Sequence, residues 1–284
     1  MHVLQFDEVS EFASRASDLL LRDEARHNLA LGLLGTLEEH PWRYPERRFW
    51  LVEERGTVVG GALRTPPHGV VLAQPLAAGA IDALATGIDE ELPGAVGATP
   101  EIESFAVAWS RRHGVPWRTR FRQRIFELEE VIPPGPCPGT ARVAGSNDRT
   151  LLVEWLRAFS IEAVGEEHPE DAALEANVDH KLLAADATYV LWEVEGEPVS
   201  CAAFGSSTPS GTRIGPVYTP PEHRGHGYAS AVTAHVSTDR LAAGRRFCFL
   251  HTNLANPTAN KIYAQIGYRP VCDALQVEFG QPVL

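Results

Sequence analysis

The sequence predicts an α/β protein with mixed sheets, assembled from two halves that share one order of elements. Three observations predict it. The chain of 284 residues is too long for one small domain and comfortable for two. Near its midpoint, "PPGPCPG" at 133–139 packs in four prolines and two glycines. Proline's fixed φ and missing N–H prevent helix and strand alike at that density, so the segment reads as a linker. On either side lie similar stretches: Leu51, Glu53, Gly56 and Val59 in "LVEERGTVVGGAL" meet Leu191, Glu193, Gly196 and Val199 in "LWEVEGEPVSCAA", 140 positions on. Each reads strand, glycine turn, strand, and the matching place within each half points to duplication. The expected division is a first domain at 1–132, a linker at 133–140 and a second domain at 141–284.

In the second half "ARVAG" reads as a short strand. Leu151, Leu152, Trp155, Leu156 and Phe159 then recur at helical spacing, with Asn147 or Asp148 as the cap. A second helix covers roughly Glu170 to Ala185, the hairpin strands follow, and "RIGPVYTP" is another strand. A helix runs from about Tyr228 to Ala243 and stops at Gly244. The strand "RFCFLHTN", a helix "PTANKIYAQI" and two last strands, "YRPV" and "ALQVEF", complete the half. The first half repeats this coarsely: a strand "HVLQF", helices between Val9 and Glu39, the hairpin, "GVVLAQP", a helix near Ala78 to Leu92, and closing strands near "FRQRIFELEEV". This order excludes a strictly alternating parallel fold.

The apolar share of 44% supplies two cores without disulfides. Cys137, Cys201, Cys248 and Cys272 form no CxxC pair; Cys201 and Cys248 lie in apolar runs and read as buried, reduced thiols. The start "MHVLQFDEVSEF" lacks a basic segment followed by an apolar stretch, and "LALGLLGTL" is too short to span a bilayer. A cytoplasmic protein with no signal peptide and no membrane partner is expected. The formal net charge of −12 opposes general affinity for nucleic acid. A monomer or homodimer is expected.

The most informative stretch is "VYTPPEHRGHGYASAV", 217–232. It reads as strand, glycine-rich turn, helix. Unpaired N–H groups and the positive dipole end of the helix, reached through a turn without Cβ atoms, form a cradle for phosphate oxygens, with Arg224 adding a cation. Ala229, Val232 and Val236 would pack the helix on the sheet. The stretch is not a Walker loop, since no GK followed by S or T appears, and its spacing and late position are wrong for a dinucleotide fingerprint. His223 and His226 have no carboxylate or Cys at ligand spacing, so no metal is expected.

Arg224-Gly225-His226-Gly227-Tyr228-Ala229 resembles the Q/R-x-x-G-x-G/A acyl-CoA pyrophosphate loop of the GNAT superfamily of N-acetyltransferases. Further on, "NPTANKIYAQIGY" resembles that superfamily's N-x-x-A-x-x-x-Y-x-x-x-G-F/Y signature, with Asn256, Ala259, Tyr263, Gly267 and Tyr268 in register. The resemblance covers 141–279 by motif and element order and the first half by layout alone. It implies two tandem GNAT-like domains, each a mixed, mostly antiparallel sheet flanked by helices, the first degenerate and the second binding acetyl-CoA as co-substrate. The implied reaction is acetyl transfer to a primary amine of a small molecule or peptide by direct attack. A non-catalytic CoA-binding or sensing protein is the alternative.

Residue by residue, the resemblance implies that the backbone of Val217, Tyr218 and Thr219 pairs with the pantetheine arm as an added strand. The N–H groups from Arg224, Gly225, His226, Gly227 and Tyr228 to Ala229 would hold the pyrophosphate. Asn256 either bonds the arm or caps the next helix, or both. Tyr263 either protonates the leaving thiolate or only packs. No motif fixes the base: Glu162, Glu166, Glu167 and His168 follow the first helix of the half, Glu162 being the choice, and His251 is a second candidate. In the first half, Val70 to Leu84 ("VVLAQPLAAGAIDAL") has no Arg and only Gly79 where the loop should be, so CoA binding is not expected there. "HPWRYPERRFW", 40–50, would line an acceptor cleft or fill an interdomain contact.

Overall fold

A computed structural model describes residues 1–73, 78–165 and 168–280. The chain forms two compact units, Met1–Ile125 with Val271–Leu284, and Phe126–Pro270. Compactness therefore divides it at 125/126 and 270/271 instead of at the proline-rich segment, and the last strand leaves the half it was expected to close.

The first unit runs β1 (His2–Phe6), α1 (Val9–Leu20), α2 (Asn28–Glu39), β2 (Arg48–Glu54), β3 (Thr57–Arg64), β4 (Val70–Ala73), α3 (Ala78–Gly87), β5 (Gly94–Ala98), α4 (Glu101–His113) and most of β6 (Trp117–Leu128). The second runs β7 (Thr140–Val143), α5 (Arg149–Phe159), α6 (Asp171–Leu183), β8 (Thr188–Val194), β9 (Glu197–Gly205), β10 (Gly211–Tyr218), α7 (Tyr228–Ala242), β11 (Phe247–Asn253) and α8 (Pro257–Gln265). The chain then enters β12 (Arg269–Phe279), a single strand where two were expected. β12 pairs antiparallel with β5, from Ala274 opposite Ala98 to Glu278 opposite Gly94, and puts Leu275 and Val277 into the first unit's core.

Strand order is β1-β2-β3-β4-β5-β12 in the first unit and β11-β10-β9-β8-β7 in the second. One neighbouring pair in each runs parallel, β4 with β5 and β10 with β11. Period-2 alternation then makes each unit three-layered. On β2, Phe49 and Leu51 face the core under α1 and α2, while Trp50 and Val52 face the core under α3 and α4. On β8, Tyr189 and Leu191 face α5 and α6, and Val190 faces α7.

The two hairpins agree in detail. Their turns are Arg55-Gly56, with φ 52° and 79°, and Glu195-Gly196, with φ 54° and 88°. Positive φ at both central residues suits a tight hairpin turn. Both skip one residue at the same place, between Val52 and Glu53 and between Trp192 and Glu193. Asp148 precedes α5, yet its carboxylate does not cap the helix: it takes the guanidinium of Arg142 at 2.7 and 2.8 Å and the Gly145 N–H at 2.7 Å. Cys201 and Cys248 are buried free thiols. No helix among the described residues is long and apolar enough to cross a membrane.

Candidate active site

The site begins where β10 leaves β11. The two strands pair in parallel only at Gly211–Phe247, Thr212–Cys248 and Arg213–Phe249. Beyond Ile214 the register of β10 against β9 shifts across Gly215-Pro216, then resumes at Val217–Ala202 and Tyr218–Cys201. The bulge turns β10 away from β11 and re-aims its side chains. The result is a splay whose closed end is Arg213 and whose open end, about 15 Å along the strand, is Tyr218. Past Arg213 the residues Val217, Tyr218 and Thr219 have no ladder pairing with β11, although the Tyr218 and Thr219 carbonyls are engaged by side chains. Ser200 fixes this edge from β9, donating to the Tyr218 carbonyl at 3.0 Å and sharing a 2.8 Å hydrogen bond with Thr219.

At the open end the chain turns through Arg224, Gly225, His226 and Gly227, all exposed, into α7. Gly225 and Gly227 have φ of 82° and 86°, the left-handed region a side chain disfavours; nothing crowds Gly225 within 4 Å, so conformation and not space demands glycine there. Val232 and Val236 bury fully under α7 and hold it to the sheet, about 1.5–3 kcal/mol each. Ala229 is only half-buried, while Tyr228 is buried and stacks on His226 at 5.4 Å between centroids. The N–H groups from Gly225 to Ala229 and the dipole of a four-turn helix thus converge on one exposed spot. These residues fit a pyrophosphate.

Arg224 is held in two directions. Its Nε donates to the Thr219 carbonyl at 2.9 Å, and Nη2 donates to Glu162 at 2.5 Å. Glu162 also accepts from the Tyr218 hydroxyl at 3.0 Å. Burial and then Glu162 push the Tyr218 phenol up to about 12, so it stays a donor. Glu162 sits on a π-helical turn, Ser160–Val164, that prolongs α5 and ends at Gly165 in the left-handed conformation. Local widening of this kind swings a side chain out of the α-helical register. The residue expected as the base is therefore brought to the open end, engaged by a cation and a phenol. Of its neighbours, His168 is exposed, and Glu166 and Glu167 lie outside the described residues.

Asn256 caps α8, its Oδ1 accepting from the Ala259 N–H at 3.0 Å. Tyr263, on the same helix, is 9% exposed and packs with Ile214, Leu250 and Phe126. Burial pushes its phenol up to about 12; it is a weaker acid than a free phenol and fully protonated at neutral pH. His251 lies on the opposite face of β11 from Leu250, two residues past the last pair with β10. Burial, and then the Arg213 cation, hold its pKa well below the ordinary value, so it is a neutral imidazole at neutral pH. No group of three His, Cys, Asp or Glu among the described residues is placed to hold a metal ion.

Sequence reasoning did not single out Arg213, the last residue of β10 paired with β11. Its signal was a charge inside the otherwise apolar and small run "GTRIGPVY".

Comparison with known proteins agrees with this geometry. Residues 150–268 match the model of the acetyltransferase (GNAT) family. No curated protein matches the sequence. Among solved structures, a Drosophila protein aligns with a TM-score of 0.69 at 11% identity, over 99% of each chain. A GCN5-related N-acetyltransferase from Sphaerobacter thermophilus gives 0.64 at 15%, over 99% of this chain and 97% of its own. A tandem GNAT protein from the clavulanic acid biosynthesis pathway gives 0.58 at 14%, over 100% and 99%. At these identities the likeness is one of fold: two GNAT-like domains in one chain.

Proposed function

Because residues 150–268 form a domain of the GNAT acetyltransferase family, we propose that the protein moves an acetyl group from acetyl-CoA to a primary amine of a small molecule or peptide, by direct attack on the thioester. The observation that carries this reading is the splay of β10 from β11, opening onto a glycine turn at the start of α7. Such a frame suits a ligand with a diphosphate at one end and an amide-bearing arm at the other. The diphosphate would rest on the N–H groups of 225–229. The arm would pair with Val217 to Thr219 and bring the thioester toward the closed end.

There the two faces of the sheet divide the chemistry. On the α7 and α8 side Tyr263, still protonated at neutral pH, gives its proton to the departing thiolate. On the α5 and α6 side the amine approaches past His251, whose neutral imidazole is a weak base suited only to the proton shed by the acidic tetrahedral adduct, so the amine itself must arrive neutral. Glu162 has a different part in this reading. The diphosphate competes for Arg224, and its arrival frees the Glu162 carboxylate from that ion pair, so donor binding and the state of Glu162 are coupled. Asn256 keeps its cap and adds no required contact.

Two measurements test the reading. Calorimetry of the intact protein with CoA should give one site, and Arg224→Glu should weaken it. Release of CoA thiol from acetyl-CoA should then depend on an added amine. Tight CoA binding with no turnover by any amine would favour the non-catalytic, CoA-sensing alternative; no heat at all would overturn both.

A further inference from the structure

Resting on that reading, we propose that Arg213 binds a carboxylate on the acceptor, and that the substrates are primary amines that also carry an acid group. Arg213 is the last residue of β10 paired with β11, opposite Phe249, so it marks the closed end of the splay. Its strand neighbour Ile214 lies in the core under α7 and α8, and alternation therefore puts Arg213 on the α5 and α6 face, the face of His251 and Tyr218. Its cross-strand partner Gly205 turns the side a Cβ would occupy toward Ala187 and toward Lys181 of α6, which agrees.

Among the described residues no carboxylate pairs with Arg213 at this buried end of the splay. Arg124, Arg142 and Arg149 each hold a carboxylate, and each has its pKa raised by that partner. Arg213 moves the other way: it is partly buried, and loss of solvent lowers its pKa, with no carboxylate among the described residues to oppose it. Its cation helps keep the neighbouring His251 neutral. A desolvated guanidinium without a partner is costly, and proteins pair or hydrate such groups. Five donors in a planar fork fit a carboxylate in bidentate fashion. In a chain of formal charge −12, this is a local cation set against the overall field. At the equivalent place in the first unit, where β4 last pairs with β5, the chain has buried Val71. The guanidinium is thus not something the fold requires.

Acetyl-CoA turnover should be measured with common L-amino acids and, in parallel, their α-carboxamides, which keep the amine and lose the charge. The free acid should lead the carboxamide by on the order of 10- to 100-fold in kcat/KM. Arg213→Gln should bring that ratio to roughly one to three, and Arg213→Lys should keep part of it. CoA affinity by calorimetry should stay within about twofold in both variants, which separates failure of this assignment from failure of the donor site. Stabilisation against heat by N-acetyl amino acids over their amides, with and without CoA, reads the same contact independently of turnover. Equal rates and equal stabilisation for acid and amide in the wild type would overturn the assignment, as would an acid preference that survives Arg213→Gln. So would a loss confined to CoA affinity, which would give the guanidinium to the donor.

Discussion

The two units carry one frame and two fates. Each has the same hairpin with the same skipped residue, the same parallel pair, and a helix after the first strand of that pair. In the second unit the splay is furnished with Arg213 and His251 at its closed end and Arg224, Gly225 and Gly227 at its open end. In the first, the corresponding strand positions are Val71 and Ala98, both buried, and 70–84 supplies no arginine. The difference extends to the next helix. If the prolines that open α4 and α8 are aligned, Tyr263 meets Ala106, wholly buried among Phe105 and Trp109. The two halves share what packs the sheet, and the polar groups that distinguish them are those the proposed function assigns to a ligand.

The largest test of this contrast is Tyr263→Phe. Loss of a general acid costs about 10²- to 10⁴-fold in kcat, with KM for acetyl-CoA nearly constant, because the ring still packs on Phe126 and Tyr268. A kcat unchanged within about twofold would make Tyr263 a core residue and the two helices equivalent. Arg224→Glu comes next. Reversing the charge at the open end should weaken CoA by on the order of 10- to 100-fold by calorimetry, with the loss growing as salt falls. An unchanged affinity would leave the second unit's loop no better than the first unit's.

The hairpins, the glycine turn before α7 and the helices of the second half were legible because each is written locally: alternation, a helical period, glycine where φ is positive. β5 was missed since "GAVGA" has little β-branched bulk to announce a strand. α4 had a readable period in Ile102, Phe105, Ala106 and Trp109, but it fell in a stretch with no counterpart motif to prompt it. β12 was split in two on the strength of its apolar and polar runs, and its pairing with β5 rests on contacts between residues far apart in sequence, which no local pattern encodes. The same holds for Glu162. Its place after α5 was legible, whereas its partners Tyr218 and Arg224 depend on a π-helical turn.

A third test uses the tyrosines. Four in the second unit, Tyr189, Tyr218, Tyr263 and Tyr268, have phenols raised by burial, Tyr218 and Tyr263 to about 12. The first unit has only Tyr44, half-buried. A phenol raised above its unfolded value near 10 contributes stability that is whole below pH 10 and lost as pH climbs through the folded value. The second unit should therefore lose stability between about pH 10 and 12 while the first changes less. Hydrogen exchange resolved by segment would show β8 to β11 opening first. Simultaneous opening of both units would show that they unfold as one cooperative body.

The smallest effect probes the duplication itself. Gly56 and Gly196 occupy the second turn position of their hairpins with φ of 79° and 88°, and neither has a neighbour within 4 Å of an added Cβ. Alanine at either place meets no clash and must only adopt a left-handed backbone, which costs an L-residue roughly 1–2 kcal/mol. With sterics removed from both, the two substitutions isolate the same local cost in two copies of one hairpin. Gly56→Ala and Gly196→Ala should each lower the stability of their own unit by about 1 kcal/mol, and by amounts within about 0.5 kcal/mol of each other, in denaturant unfolding followed by segment-resolved exchange. A gap of more than about 1 kcal/mol would mean that one turn is held by contacts the other lacks, and that the common frame stops short of the turn geometry on which the resemblance of the halves was first read.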